Sequence, residues 1–197
     1  MILDPRSLIL ALIGCVFVAL LWMLIRKRKR ADPRARFRNA STAFLGDFLI
    51  PDGEGGEIHI ENALLCTRGI VIVNIKDVAG NVFGSDTMQE WAVITGKQRY
   101  TFGNPQDGLY DRTAAVKRLV PDVPVIGYIA FTDQAEFSKG FPRHVIGLRE
   151  LLEQLESEHA QQSVAPDAFW PAWEKLAAEA TVVQVEELGE ANGSGRA

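Results

Sequence analysis

The sequence predicts one mixed α/β domain behind a single transmembrane helix. Three observations predict it. Residues 7–25 carry no charge. Behind them, segments with strand-like patterning alternate with helical ones. A length of 197 residues leaves room for one globular domain plus appendages, not for two full domains. Hydrophobic residues make up 47% and charged residues 23%, which excludes a wholly disordered chain. Cys15 and Cys66 are too few for a disulfide scaffold or a cysteine-built zinc site. His59, His144 and His159 have no metal-ligand spacing, which argues against a zinc enzyme.

Residues 7–25 read SLILALIGCVFVALLWMLI. At about 1.5 Å per residue they reach roughly 28 Å, close to the thickness of a bilayer's hydrocarbon core. Trp22 lies near one end, where interfacial aromatics sit. A cleaved signal peptide wants positive charge ahead of a shorter apolar run. Here the order is inverted. Asp4 and Arg6 precede the run, and residues 26–38 hold eight Lys/Arg against Asp32 alone. The positive-inside rule then gives an uncleaved single-pass anchor in the inner (cytoplasmic) membrane, N-terminus out and domain in the cytoplasm. The basic run sets this topology and binds anionic lipid headgroups. A basic arm on nucleic acid is the second reading.

Residues 39–197 carry 12 Lys/Arg against 23 Asp/Glu, a net charge of about -11. A protein that grips a polyanion normally presents a basic face, so this balance weighs against nucleic acid as partner.

Along the soluble part, residues 39–56 read as a linker with turn chemistry from Pro51 to Gly56. Residues 57–65 (EIHIENALL) alternate as a strand. Residues 70–76 (IVIVNIK) are β-branched and nearly continuous, as a buried central strand is. The pair predicts a hairpin with Arg68-Gly69 at its tip. Gly80 and Gly84 mark a loop. Residues 90–95 and 98–102 predict a second hairpin turning at Gly96-Lys97. Asn104 caps a helix over 106–119, which Pro121 and Pro124 end. Residues 125–131 (VIGYIAF) read as another buried strand. An amphipathic helix lies within 145–158, and a further one within 167–180, its Phe169, Trp173 and Leu176 facing inward. The tail ends in ANGSGRA and reads as disordered.

One cluster can carry chemistry. Asn74 and Lys76 stand two apart on one strand and project to one face. Glu61 lies across from them if the hairpin forms as described. A carboxylate, a second oxygen ligand and a lysine can hold Mg2+ and position a water. The competing reading is a polar edge on a half-exposed sheet.

The stretch GGEIHIENALLCTRGIVIVNIKDVAGNVFG, followed by EWAVITGKQRYTFGNPQDGLYDR and VPVIGYIAF, resembles the nuclease-related domain (NERD) family. The resemblance covers residues 55–155. Its most specific parts are the Thr67-Arg68-Gly69-Ile70 turn before a Lys-ending strand, Gly80 and Gly84, Trp91, and Asn104-Pro105 ahead of a helix. The family is related to PD-(D/E)xK nucleases. The resemblance implies a restriction-endonuclease-like mixed sheet flanked by helices, and a Mg2+-dependent phosphodiesterase site. It places Glu61 on the first acid, as a metal ligand. It places Lys76 on the lysine that orients or deprotonates the attacking water, or steadies the charge on phosphate. Asn74 falls on the second acid, where an amide oxygen can touch a metal but brings no charge. Asp77 cannot replace it, because neighbouring residues on a strand point to opposite faces. The family's upstream helix with its Gly-Glu pair has no counterpart in 39–56, and neither Glu54 nor Glu57 aligns with it.

The expected organisation is an anchor over 1–25, a basic juxtamembrane segment and linker over 26–54, a NERD-like domain over 55–158, and a C-terminal helix with its tail over 159–197. Two functions compete. One is a membrane-anchored, nuclease-like DNA-processing protein with a degenerate metal site. The other is a catalytically inactive, membrane-tethered binding or scaffold module. A third use, docking a larger complex through 167–180, needs an apolar face that packing inside the domain would consume. Cys66 is expected to be a reduced thiol serving packing.

Overall fold

A computed structural model describes residues 32–162 and 164–182. The expected anchor over 7–25, most of the basic run after it and the tail from residue 183 lie outside the described residues. Among the described residues, no helix is long and apolar enough to cross a membrane. The compact body begins at Phe37.

The elements follow as α1 (Pro33–Asn39), β1 (Ala43–Pro51), β2 (Glu57–Cys66), β3 (Gly69–Lys76), β4 (Gly80–Phe83), β5 (Glu90–Thr95) and β6 (Gln98–Gly103). Then come α2 (Pro105–Leu119), β7 (Val125–Phe131), β8 (Ala135–Glu136), β9 (Val145–Gly147), α3 (Leu148–Gln161), α4 (Trp170–Glu179) and β10 (Thr181–Val182). The larger sheet has the order β10-β1-β2-β3-β7-β9, and the smaller one β6-β5-β4-β8. Strands β1, β2 and β3 pair antiparallel, whereas β3, β7 and β9 run parallel. The architecture is therefore a mixed α/β fold with two mixed sheets flanked by helices, consistent with a nuclease-like fold.

The near-continuous apolar character of β3 has a simple cause. Both of its faces are covered. Ile70 and Ile72 join one cluster with Ala115 and Val116 of α2 and Trp173 and Leu176 of α4. Val71 and Val73 join a second with Phe37 and with Leu148, Leu151, Leu152 and Leu155 of α3. A third cluster, built on Trp91, Val93, Leu109, Ile129 and Phe131, seats the small sheet against α2 and β7. The β2–β3 turn is Thr67-Arg68, closed by the pair Cys66↔Gly69. Gly69 has φ +125°, and a Cβ there would stand 2.3 Å from the Pro124 carbonyl oxygen. That carbonyl accepts a 2.9 Å hydrogen bond from Ile70 N.

Two sequence expectations need correction, and two are sharpened. Residues 39–56 are not a linker, because β1 occupies 43–51 and pairs along β2. The strand was hidden because its alternation breaks. Ala43 and Leu45 pack toward the first cluster, yet so do Phe48 and Ile50, while Phe44 packs toward the second. The break falls at Gly46-Asp47, where Asp47 adopts φ +49°. The Gly80…Gly84 loop is in fact β4, paired with β5. The amphipathic helix expected within 145–158 is α3, which starts at Leu148 after the short strand β9 and runs on to Gln161. Finally, the helix expected within 167–180 is α4, whose Trp173 and Leu176 face inward as expected and are buried in the first cluster, and β10 adds to the sheet beside β1. The expected boundaries at 55 and 158 thus leave out parts of the packed body.

Candidate functional site

The site begins with the same break in alternation, seen from β2. Ile58 and Ile60 pack toward the first cluster, and so do Ala63 and Leu65, while Leu64 and Cys66 pack toward the second. Alternation therefore fails at Glu61-Asn62, at the level of the break in β1, where Gly46 pairs with Asn62. On the other side, the β2–β3 ladder runs from Cys66↔Gly69 to Ala63↔Ile72. Beyond that point side chains span the strands. Asn62 Nδ2 donates to the Val73 carbonyl at 3.1 Å. Glu61 Oε2 accepts from Ile75 N at 3.1 Å and from Asn74 Nδ2 at 3.4 Å.

The structure thus brings Glu61 and Asn74 together across two strands. Asn74 is nine-tenths buried, and its Oδ1 is sealed from solvent with no hydrogen-bond partner among the described residues. Lys76, the last residue of β3, is half-buried and level with Phe131 of β7. Strand alternation places its side chain on Asn74's face. Among the described residues no ion pair engages Lys76. Asp77, one residue on, is held elsewhere, accepting from Thr132 Oγ1 at 2.8 Å and Gln134 Nε2 at 3.2 Å. It does not stand in for the second acid.

The donor set does not fit a magnesium ion. Among the described residues no group of three His, Cys, Asp or Glu is placed to hold a metal. One oxygen of Glu61 is committed to two N–H donors, and Asn74 presents to it a nitrogen, not an oxygen. Glu54 sits in the 51–56 turn, where Asp52 Oδ1 accepts from Glu54 N and Gly56 N. Glu57 is four residues from Glu61, about 13 Å along an extended strand. Neither acid joins the site. A small cleft of about 10 Å³, room for roughly one water, lies away from the site, beside Cys66, Glu158 and His159 at the turn end of β2. The Cys66 thiol there is pushed up to about 12 by burial, which leaves it protonated and inert.

Two groups escaped the sequence reading. Asn62, fully buried beside the acid, carries a strand-to-strand bond. Its signal was an amide at position 62, the next inward position after Ile58 and Ile60 in the alternation of EIHIEN. The other is Asp86, whose carboxylate accepts from Gln106 Nε2 at 2.9 Å and Arg143 N at 2.9 Å, and pairs with Arg143 Nε at 3.2 Å. The Gln106 hydrogen bond, then that of Arg143, holds the Asp86 carboxyl below the usual carboxylate range. The cluster ties the β4–β5 loop to the first turn of α2, where Asn104 Oδ1 accepts from Gln106 N at 3.0 Å. Trp91 serves packing. It is fully buried, lies on Gly84 and donates Nε1 to the Ser85 carbonyl at 3.2 Å.

Two antiparallel strands that hold an acid opposite an Asn-x-Lys segment, in a mixed sheet with helices on both faces, are consistent with a nuclease-like fold. The chain belongs to the nuclease-related domain family, whose model matches residues 27–132. The match takes in β1 and reaches the end of β7. Neither curated proteins nor solved structures give a match.

Proposed function

We propose that this chain is a single-pass, membrane-anchored nuclease-related protein, nuclease-like and directed to DNA, with a degenerate metal site. The observation that carries the reading is the engagement of Glu61 Oε2 by Asn74 Nδ2 and Ile75 N. A carboxylate so occupied, opposite an uncharged amide, is poorly suited to gather a hard cation, whose affinity follows the charge of its ligands. Lys76 remains as the cation facing a phosphodiester. Its role is to hold phosphate. Cleavage is expected to be weak or nil. The 19 uncharged residues of 7–25 and the eight Lys/Arg that follow support an anchor with the domain on the cytoplasmic side of the inner membrane.

A second reading, a membrane-tethered binding or scaffold module without nucleic acid, is favoured by the excess of 23 Asp/Glu over 12 Lys/Arg in residues 39–197. The deciding experiment uses the full chain in detergent with Mg2+ or Mn2+ and DNA. It compares wild type, Lys76→Ala and Asn74→Asp. Weak or absent cutting by wild type with cutting by Asn74→Asp supports the degenerate site. Vigorous wild-type cutting lost in Lys76→Ala sinks it. Silence from all three, with no salt-dependent DNA binding, favours the scaffold.

A further inference from the structure

We infer that Glu61, Asn74 and Ile75 form a metal-independent strut between β2 and β3, in which N–H donors supply the positive partners of the Glu61 carboxylate. The inference rests on the reading of the site above, but concerns what holds it together.

The ladder between the strands ends at Ala63↔Ile72. Past that level, the strands are joined by Asn62 Nδ2 to Val73 O, and by Ile75 N and Asn74 Nδ2 to Glu61 Oε2. A half-buried carboxylate between two strands needs positive partners. In a metal site an ion supplies them. Here two N–H groups do. The Ile75 N–H is the discriminating feature. It is a backbone donor on Glu61 Oε2 at 3.1 Å, and it occupies lone-pair capacity that a cation would need. Asn74 Nδ2 adds a second, longer contact at 3.4 Å, while its Oδ1 is left unpartnered and sealed from solvent. Among the described residues no neighbouring acid completes an ion site. Asp77 is engaged by Thr132 and Gln134, and Asp47 of β1 lies 3.4 Å from His59 Nε2.

The test is thermal unfolding of the full chain in detergent, with chelator and then with millimolar Mg2+ or Mn2+. The wild-type midpoint should not respond to either ion. Asn74→Asp sets two carboxylates face to face. Its midpoint should fall in chelator and rise with Mn2+ by roughly 5 °C or more. The swapped pair, Glu61→Gln with Asn74→Asp, restores one amide and one carboxylate. It should recover the midpoint lost in Asn74→Asp and ignore Mn2+. A wild-type midpoint that climbs with Mn2+, and stops doing so in Glu61→Gln, would overturn the strut. So would a folded Asn74→Asp that is indifferent to Mn2+. If Asn74→Asp does not fold with or without ions, recovery in the swapped pair supports the strut and its failure overturns it. The readout is folding, so this inference and the DNA-directed reading can fail separately.

Discussion

Glu61 and Asn74 face each other across the splayed ends of β2 and β3, with Asn74 Nδ2 3.4 Å from Glu61 Oε2 and Ile75 N 3.1 Å from the same oxygen. The contact joins strands at the level where their backbone ladder has ended. The side chains in this short stretch therefore carry more of the fold than polar residues at a sheet edge usually do.

Asn62 should prove costly to remove. It is fully buried and satisfies the Val73 carbonyl. Asn62→Ala strands that acceptor and is expected to lose about 1–3 kcal/mol of stability. Urea unfolding followed by circular dichroism reads this directly. A loss within about 0.5 kcal/mol, typical of an ordinary surface change, would show that the bond is dispensable.

Leu176 tests whether α4 belongs to the body. The side chain is fully buried among Phe48, Ile60 and Trp173 in the first cluster. Leu176→Ala is expected to cost about 2–5 kcal/mol, as other buried leucine truncations do. A near-neutral result would mean that α4 is an appendage.

Asp86 predicts a pH dependence. Its carboxyl is held below the usual range, so ionisation is favoured in the folded state. The folded state then binds fewer protons than the unfolded one. The resulting stabilisation is present above the ordinary carboxylate pKa of about 3.9 and is lost as pH falls through the lower folded value. Asp86→Asn should remove that part of the acid-side slope in melting temperature below about pH 4. Identical slopes in variant and wild type would contradict it.

Cys66 should resist thiol reagents. With its pKa raised to about 12 by burial, thiolate is scarce at neutral pH. In a Cys15→Ser background, labelling at pH 8 should be slow in the native chain and fast in urea. Its contribution to stability is fully present below the ordinary thiol value of about 8.5, and declines as pH rises toward the folded value. Rapid native labelling would mean that the β2–β3 turn opens readily.

The sequence by itself determined the parts ruled by local pattern. The β-branched run of β3 announced a strand covered on both faces. The spacing of Asn74 and Lys76 put them on one side of it. Asn104 announced the start of α2, where its side chain accepts from Gln106 N. The family likeness was legible in the same stretch and is borne out by the match to residues 27–132. Only the tertiary structure decided the rest. Strand β1 was illegible because a period-2 signal fails where the faces exchange, at Gly46-Asp47 opposite Glu61-Asn62. The structural part of Asn62 and the contact of Asn74 with Glu61 depend on where the β2–β3 ladder stops. The place of α4 depends on an apolar face finding β1 and β2 more than a hundred residues upstream. Such features arise from pairing and packing between distant segments, whereas periodicity and capping report only on each segment's own neighbours.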